Sequence, residues 1–242
     1  MTAAEVLEGA ARDLLLLCDH ASAETVPDIP IAPDLLARHI GVDIGAGAVT
    51  RLLAHRLGAP AVLATISRLV IDLHREPDHS KLVPEESDGH AIPANVGADR
   101  FARIARFHAP YHRAIAARIR AVRPKLILAI HSFTPQLEAG GTQRPWEIGV
   151  LYNRDSRAAR PALDWLHGQG FTVGDNEPYS GRQFNATLNR HAEAQGIPSI
   201  AIEIRNDLIA DDTGAERWSA VLAELATHLL RNSLASDASS AT

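Results

Sequence analysis

Residues 124–132 read Pro-Lys-Leu-Ile-Leu-Ala-Ile-His-Ser, an apolar run that begins after a proline and ends at a histidine. A continuous run without polar alternation is typical of a strand buried on both faces of a parallel sheet. Comparable runs predict further strands at 14–18, 61–64, 69–73, 148–152, 171–173 and 200–204. Helical periodicity is present between them, over 33–56 with a break near Gly41, and over 99–119, 157–168, 183–195 and 213–232. This alternation predicts an α/β fold, a three-layer α/β/α sandwich with a mostly parallel, mixed central sheet.

Two residues give specific expectations for the helix that covers 99–119. Asp99 precedes the first apolar residues of this stretch, so its carboxylate is expected to cap the helix. Pro110 lies inside the stretch and lacks a backbone N–H, so the helix should kink or restart there.

The length of 242 residues suits one large domain or two small ones. Because no internal repeat or clear linker is present, we expect a single domain over residues 1–234. The segment 235–242 is small and polar, and we expect it to be a disordered tail.

Composition excludes several classes of protein. The single cysteine, Cys18, cannot form an internal disulfide or a cysteine-based zinc cluster. A net charge of -5 with mixed signs gives no electrostatic surface for nucleic acid, so no nucleic-acid partner is expected. No apolar run reaches the roughly 18 residues needed to cross a bilayer, and the N-terminal stretch lacks the basic start of a secretory signal. The expected location is the cytoplasm, with no membrane partner.

Ionisable side chains follow several of the predicted strands. In open α/β sheets, ligands bind at the carboxyl ends of the strands. These ends carry Asp19-His20, Asp72-Leu73-His74-Arg75, His131-Ser132, and Glu203 with Arg205-Asn206-Asp207. Two histidines from separate strands plus one carboxylate would form an open divalent-metal site of the catalytic type. Alternatively, each histidine caps its own strand and bonds a backbone group.

Other common catalytic motifs are missing from the sequence. It contains no Gly-x-Ser-x-Gly elbow, no phosphate-binding loop, no Gly-x-Gly-x-x-Gly and no His-Glu-x-x-His. The stretch 41–47 is glycine-rich, but it lacks the lysine of a phosphate loop. Its glycines could serve helix packing alone, or the stretch could present Asp43 to the site.

Seven short strings in the sequence, taken in order, resemble the N-formylglutamate amidohydrolase family. They span about residues 14–210 and are Cys-Asp-His-Ala-Ser at 18–22, Asp-Ile-Gly-Ala at 43–46, Ser-Arg-Leu-Val-Ile-Asp-Leu-His-Arg at 67–75, Pro-Tyr-His at 110–112, His-Ser at 131–132, Asn-Glu-Pro-Tyr-Ser-Gly at 176–181 and Ile-Glu-Ile-Arg-Asn-Asp at 202–207. The resemblance implies a fold similar to that of the zinc-dependent exopeptidases.

The resemblance implies metal-assisted hydrolysis of a linear amide, with N-formylglutamate as substrate and histidine catabolism as the setting. His20 and His131 match the metal-binding histidines of the family. Asp43 is the preferred third ligand and Glu24 the alternative, while Asp19 would orient His20 or its neighbours. The cofactor is a divalent ion, with Zn²⁺ favoured, although Co²⁺, Mn²⁺ or Fe²⁺ also suit such ligands.

The same resemblance gives roles to residues at the strand ends. Glu203 resembles the carboxylate that takes the proton of the attacking water and passes it to the leaving amine, unless it forms an ion pair with Arg205 or another arginine. Arg75 is the candidate for binding the substrate carboxylate. Arg68 is either a second carboxylate-binding residue or a surface residue. His74 stands where relatives usually carry Asn, which leaves the contacts of the substrate carboxylate open.

Three further residues have two possible roles each. Tyr179 could donate its hydroxyl to the substrate or belong to a plain turn. His112 could contact substrate or be a satisfied core histidine, and His191 is expected to be structural. The sequence therefore predicts a metal-dependent amidohydrolase of a small N-acyl amino acid, of open oligomeric state. The alternatives are a deacylase or peptidase that uses the same metal site, and a binding module without catalysis.

Overall fold

The computed structural model describes residues 2–239, with side chains described through residue 231. Its strands, in chain order, are β1 (Ala4–Leu7), β2 (Leu14–Cys18), β3 (Ala61–Ala64), β4 (Glu86–Ser87), β5 (His90–Ala91), β6 (Leu126–Phe133), β7 (Ile148–Leu151), β8 (Val173–Asp175) and β9 (Ser199–Arg205). Seven of them form one sheet in the order β1-β3-β2-β6-β9-β7-β8, and β4 and β5 form a separate hairpin.

The sheet is mixed, with a parallel centre. Strands β3, β2, β6 and β9 run parallel to one another, β1 pairs antiparallel with β3, and β7 pairs antiparallel with β9. The carboxyl ends of β2, β6 and β9 therefore reach the same edge of the sheet, where a ligand site is expected.

The helices cover both faces of the sheet. They are α1 (Pro33–Leu36), α2 (Ala46–Leu57), α3 (Arg100–Arg103), α4 (Ala109–Val122), α5 (Ala159–Gly168), α6 (Ala186–His191) and α7 (Asp212–Ser239). A π-helical turn at Ile104–His108 joins α3 to α4, and short 3-10 turns lie at Pro93–Asn95, Glu193–Gln195 and Asn206–Leu208.

Residues of each central strand alternate between two hydrophobic cores. In β2, Leu14 and Leu16 belong to the core shared with α2, α5 and α7, whereas Leu15 and Leu17 belong to the core shared with α4 and α6. All four leucines are buried, and full burial of such a side chain stabilises the fold by about 1.5–3 kcal/mol. The two cores confirm the predicted three-layer α/β/α sandwich with a mostly parallel, mixed sheet.

The strand predicted over 69–73 is wrong, because these buried residues form turns. Their backbone carbonyls are satisfied by side chains rather than by a neighbouring strand: Asn95 Nδ2 donates to the Leu69 carbonyl, Arg103 to that of Val70, and His112 to that of Leu73. A buried apolar segment whose carbonyls accept hydrogen bonds from side chains does not have to pair with a neighbouring strand. The sequence pattern does not distinguish such a segment from a buried strand.

Other boundaries differ by smaller amounts. Strand β6 continues through Phe133, so His131 lies within the strand, and β8 begins at Val173 rather than at residue 171. The Asp99 carboxylate accepts a hydrogen bond from the Ala102 backbone N–H, as the capping prediction requires. A new helical segment begins at Ala109, next to Pro110, which agrees with the expected restart. Strand β1 was not predicted.

Two expectations about the chain as a whole stay predictions. The single domain over 1–234 is one of them. The disordered tail over 235–242 is the other: the backbone of 235–239 belongs to α7, and residues 240–242 lie outside the described residues. Within the part that the structure describes, no helix combines the length and the apolar composition that crossing a membrane requires.

Candidate active site

Two neighbouring strands and one turn bring the candidate metal ligands together. His20 lies two residues after the end of β2, and His131 lies near the end of β6. Asp43 approaches from the turn that precedes α2, where its backbone N–H donates to the His20 carbonyl at 3.1 Å. All three side chains are buried.

His20 and His131 converge on the Asp43 carboxylate. The distance from Asp43 Oδ2 to Nδ1 is 3.2 Å for His20 and 2.9 Å for His131, and the ring centroids of the two histidines are 5.2 Å apart. One ligand atom from each of the three residues lies within 4.8 Å of the other two. Two imidazoles and one carboxylate in this arrangement can hold a divalent cation.

The opposite ring nitrogen of each histidine faces a second carboxylate. His20 Nε2 lies 2.8 Å from Asp72 Oδ1, and His131 Nε2 lies 3.3 Å from Asp19 Oδ2. Such a carboxylate selects the tautomer and the orientation that metal-binding histidines need. The donor set and its carboxylate partners therefore fit a divalent metal. Asp19 contacts His131, whereas the carboxylate behind His20 is that of Asp72.

His74 extends this polar cluster, and sequence reasoning did not include it among the site residues. Its Nδ1 lies 2.9 Å from Asp19 Oδ2, and its ring centroid is 4.8 Å from that of His131. The other Asp19 oxygen accepts hydrogen bonds from the Tyr111 hydroxyl at 2.8 Å and the Thr187 hydroxyl at 3.0 Å. Although burial alone would raise it, hydrogen bonds from His131 and His74 hold the pKa of Asp19 well below its usual value.

Glu203 lies beside the candidate ligands on β9. Its side chain is buried, and Oε2 has no hydrogen-bond partner among the described residues. Burial raises the pKa of Glu203 to about 7. The ion pair with Arg205 that sequence reasoning considered is not formed, because the Arg205 guanidinium donates to Asp207 at 2.8 Å. A carboxyl group that exchanges a proton near neutral pH suits general base catalysis.

Arg68 is neither a surface residue nor a free carboxylate-binding group. It lines the cavity, and its two terminal nitrogens donate to Asp43 Oδ1 at 3.0 Å and to Asp72 Oδ2 at 3.2 Å. The guanidinium thus holds both carboxylates that contact His20. Its position favours a structural role in the polar cluster.

Arg75 lines the same cavity from the turn that follows Asp72. Its guanidinium carbon lies 4.7 Å from the centre of the Phe184 ring, and its Nε lies 3.4 Å from Asp72 Oδ2. Arg75 Nη1 also lies 3.4 Å from His79 Nε2. The remaining in-plane N–H groups of the stacked guanidinium stay available, so Arg75 can still bind a carboxylate through paired hydrogen bonds.

Tyr179 also lines the cavity, in a loop that Asn176 anchors. Asn176 Oδ1 accepts hydrogen bonds from the backbone N–H groups of Tyr152 and Gly181. The Tyr179 hydroxyl accepts a hydrogen bond from Arg144 at 3.1 Å, which leaves its own proton available to a ligand. Burial raises the pKa of Tyr179, so the hydroxyl stays protonated. Arg144 was missed in the sequence because it lies in a long irregular loop.

Two other predicted residues lie away from the cavity wall. The Glu24 side chain is exposed and is not part of the candidate metal-binding groups found among residues 2–231. His112 is buried behind the cavity, where its Nε2 lies 3.0 Å from the Leu73 carbonyl and its Nδ1 lies 2.8 Å from His191 Nε2. Burial lowers the pKa of His112 to about 3 and that of His191 to about 4, so both rings are neutral. His112 and His191 thus support the segment that carries His74.

The glycine-rich stretch before α2 serves close packing. Gly45 has a φ of 79°, and a Cβ placed on it would lie 2.1 Å from the Ile209 carbonyl oxygen. A Cβ on Gly41 would lie 2.4 Å from the Leu36 carbonyl oxygen. Because they lack a Cβ, these glycines let this turn pack closely against Ile209 and Leu36. The packed turn places Asp43 in the site.

The site opens into a cavity of about 270 Å³. Its rim is built from the β4–β5 hairpin and the loop after β6. Asp88 joins them: its carboxylate accepts the backbone N–H groups of Glu138 at 2.8 Å and Ala139 at 3.0 Å, and contacts His39 Nε2 at 2.9 Å.

Comparison with known proteins gives an independent result. A family model described as N-formylglutamate amidohydrolase matches residues 12–210. The fold is similar to that of a gene product from Agrobacterium tumefaciens, with 35% sequence identity, a TM-score of 0.87, and coverage of 98% of this chain and 96% of that chain. It is also similar to an N-formylglutamate amidohydrolase from Ralstonia eutropha, with 21% identity, a TM-score of 0.70, and coverage of 96% and 97%. No curated protein matches the chain.

Proposed function

Because the chain belongs to the N-formylglutamate amidohydrolase family, we propose that it uses a divalent metal to hydrolyse the amide of an N-acyl amino acid. Membership of the family confirms the resemblance found in the sequence, and it makes the chain a hydrolase that acts on amide bonds. N-formyl amino acids, N-formylglutamate among them, are the first substrates to consider. The observation that carries the proposal is the convergence of His20, His131 and Asp43 beside a buried Glu203.

His20, His131 and Asp43 would hold the metal. When bound, a divalent cation supplies Lewis-acid polarisation of the amide carbonyl and lowers the pKa of the attacking water. Asp72 and Asp19 orient the two histidines from behind. Two imidazoles and a carboxylate favour Zn²⁺, and the same donor set also accepts Co²⁺, Mn²⁺ or Fe²⁺.

Glu203 would act as the general base and then as the general acid. Its unpaired Oε2 can accept a proton from water, and its raised pKa allows the same carboxyl to pass that proton to the leaving amine nitrogen. The products are the free carboxylic acid of the acyl group and the amino acid.

Arg75 and Tyr179 would position the substrate. Arg75 binds the carboxylate of the amino acid through paired hydrogen bonds, which orients the amide toward Glu203. The Tyr179 hydroxyl donates a hydrogen bond to the acyl oxygen as negative charge develops there. On composition, we further propose a cytoplasmic enzyme that acts on small molecules.

The proposal is tested by removing the metal and then restoring it. Purified protein is assayed for amine release from N-formyl and N-acetyl amino acids, and its metal content is measured by elemental analysis. Activity should disappear with a chelator and return with added Zn²⁺ or another divalent ion. Full activity of rigorously metal-free protein would contradict the metal mechanism, and failure to cleave any N-acyl amino acid would contradict the substrate class.

A further inference from the structure

The cavity provides one available guanidinium for a substrate carboxylate. Arg75 keeps in-plane N–H groups available, as described above, whereas Arg68 is bound to Asp43 and Asp72. Moving Arg68 onto a ligand would break its ion pairs with two buried carboxylates, and breaking a buried ion pair is strongly destabilising. Arg68 is therefore a poor receptor for the second carboxylate of a glutamate derivative.

The next guanidinium near the cavity is also engaged. Arg144 donates to the Thr134 carbonyl at 3.2 Å and to the Tyr179 hydroxyl at 3.1 Å, and its guanidinium carbon lies 4.9 Å from the centre of the Tyr179 ring. Binding a second carboxylate there would cost the contact that orients the Tyr179 hydroxyl.

The rim adds negative charge. Asp88 lines the cavity, and although burial would raise its pKa, the hydrogen bonds from the backbone of Ala139 and Glu138 lower it. Its carboxylate is therefore ionised at neutral pH and repels an anionic substrate side chain.

The rest of the wall combines apolar side chains with small polar ones. The apolar residues that line the cavity are Ile40, Phe133, Leu137, Leu151 and Phe184, and the small polar ones are Ser87, Ser132 and Thr134. The hydroxyls of Ser132 and Thr134 already donate to backbone carbonyls. A carboxylate placed against the apolar side chains would lose its water and gain no hydrogen bonds from them, whereas an aliphatic or thioether side chain would gain buried apolar area there.

From these contacts we infer that the preferred substrates are N-formyl amino acids with one carboxylate and an apolar side chain, such as N-formylleucine or N-formylmethionine, rather than N-formylglutamate. This inference rests on the proposed function and specifies its substrate class. The α-carboxylate binds Arg75, and the side chain packs on the apolar wall.

The test compares kcat/KM of the metal-loaded enzyme for N-formylleucine, N-formylglutamine and N-formylglutamate. N-formylglutamine has nearly the shape of N-formylglutamate but lacks the second charge, so this pair isolates the effect of that charge. We expect N-formylleucine to exceed N-formylglutamate by at least about tenfold, with N-formylglutamine above N-formylglutamate.

A pair of variants at Leu137 tests the same charge effect by changing the protein instead of the substrate. Leu137 is half-buried in the rim loop and contributes to the wall. Leu137→Arg should raise the ratio of N-formylglutamate to N-formylleucine turnover by at least about tenfold, since it adds a cation. The matched control Leu137→Gln should lower N-formylleucine turnover without raising that of N-formylglutamate.

Each outcome has one meaning. If the wild-type enzyme hydrolyses N-formylglutamate as well as or better than N-formylleucine, the inference is overturned and the proposed function stands. If it hydrolyses none of the three substrates but cleaves another N-acyl amino acid, the inference is overturned. If it cleaves no N-acyl amino acid at all, the proposed function itself is overturned.

Discussion

Glu203 lies directly opposite His131 across the parallel pair of β6 and β9, so the candidate base and a candidate metal ligand share one register position of the sheet. Because a register shift of one residue would turn either side chain to the other face, the hydrogen-bonded ladder between these strands holds both groups on one side. Gly149 lies opposite Glu203 on the other neighbouring strand, β7, and brings no side chain to that position.

Replacing Glu203 by Gln should lower kcat by about 10²–10⁴-fold, because the amide cannot accept the proton of the attacking water. Metal content should stay at the wild-type level, since Glu203 is not among the three ligands. Glu203→Asp provides the matched control, which keeps the carboxylate and should retain part of the activity. Unchanged kcat for Glu203→Gln would mean that another group is the base.

Asp43→Asn should remove most of the bound metal. The matched control Glu24→Gln, at an exposed position, should leave the metal content unchanged. The reason is that Asp43 Oδ2 lies within 3.2 Å of both histidines. Elemental analysis of the two variants, with circular dichroism to verify folding, decides between the two ligands. Metal loss on Glu24→Gln alone would make Glu24 the third ligand.

Arg75→Lys should raise KM by about tenfold or more, since an ammonium group cannot reproduce two parallel hydrogen bonds to a carboxylate. Steady-state kinetics with one N-formyl amino acid over a range of concentrations measures the change. Arg113→Lys, at an exposed position of α4, serves as the control and should behave like the wild type. An unchanged KM for Arg75→Lys would remove Arg75 from the substrate site.

Stability should fall on mild acidification because of His112 and His191. Burial lowers their pKa values to about 3 and about 4, below the ordinary value of 6.5, so the unfolded chain takes up protons first as the pH falls. For His112 this amounts to about 1.5 kcal/mol of unfolding free energy lost between pH 6.5 and 5. Urea unfolding of wild type and His112→Gln at both pH values measures it. The variant should lose less stability over this interval, and equal losses would contradict the buried, neutral state.

The convergence of the candidate ligands His20 and His131 could be predicted from where apolar runs end. Asp19 and His20 follow one such run and His131 follows another, and parallel central strands bring their ends to one edge. The position of Asp43, the candidate third ligand, was harder to predict, because it lies in a turn whose position depends on the packing of Gly41 and Gly45. Long-range contacts of this kind leave no periodic signal in the sequence.

The roles of the arginines were harder to predict than the positions of the strands. Arg68 was a reasonable candidate for a second substrate carboxylate, but in the structure it neutralises Asp43 and Asp72. Which carboxylate a guanidinium meets depends on loops such as 69–73, whose apolar run suggested a strand. Backbone carbonyls of that loop accept hydrogen bonds from the side chains of Asn95, Arg103 and His112, which are distant in sequence.

The most direct test of the account is anomalous diffraction at the zinc absorption edge from crystals of the zinc-loaded protein. We predict one peak about 2.0–2.1 Å from Nδ1 of both His20 and His131, with an oxygen of Asp43 at a similar distance. Absence of a peak between these two imidazoles in fully loaded crystals would contradict the shared metal site and the mechanism that depends on it.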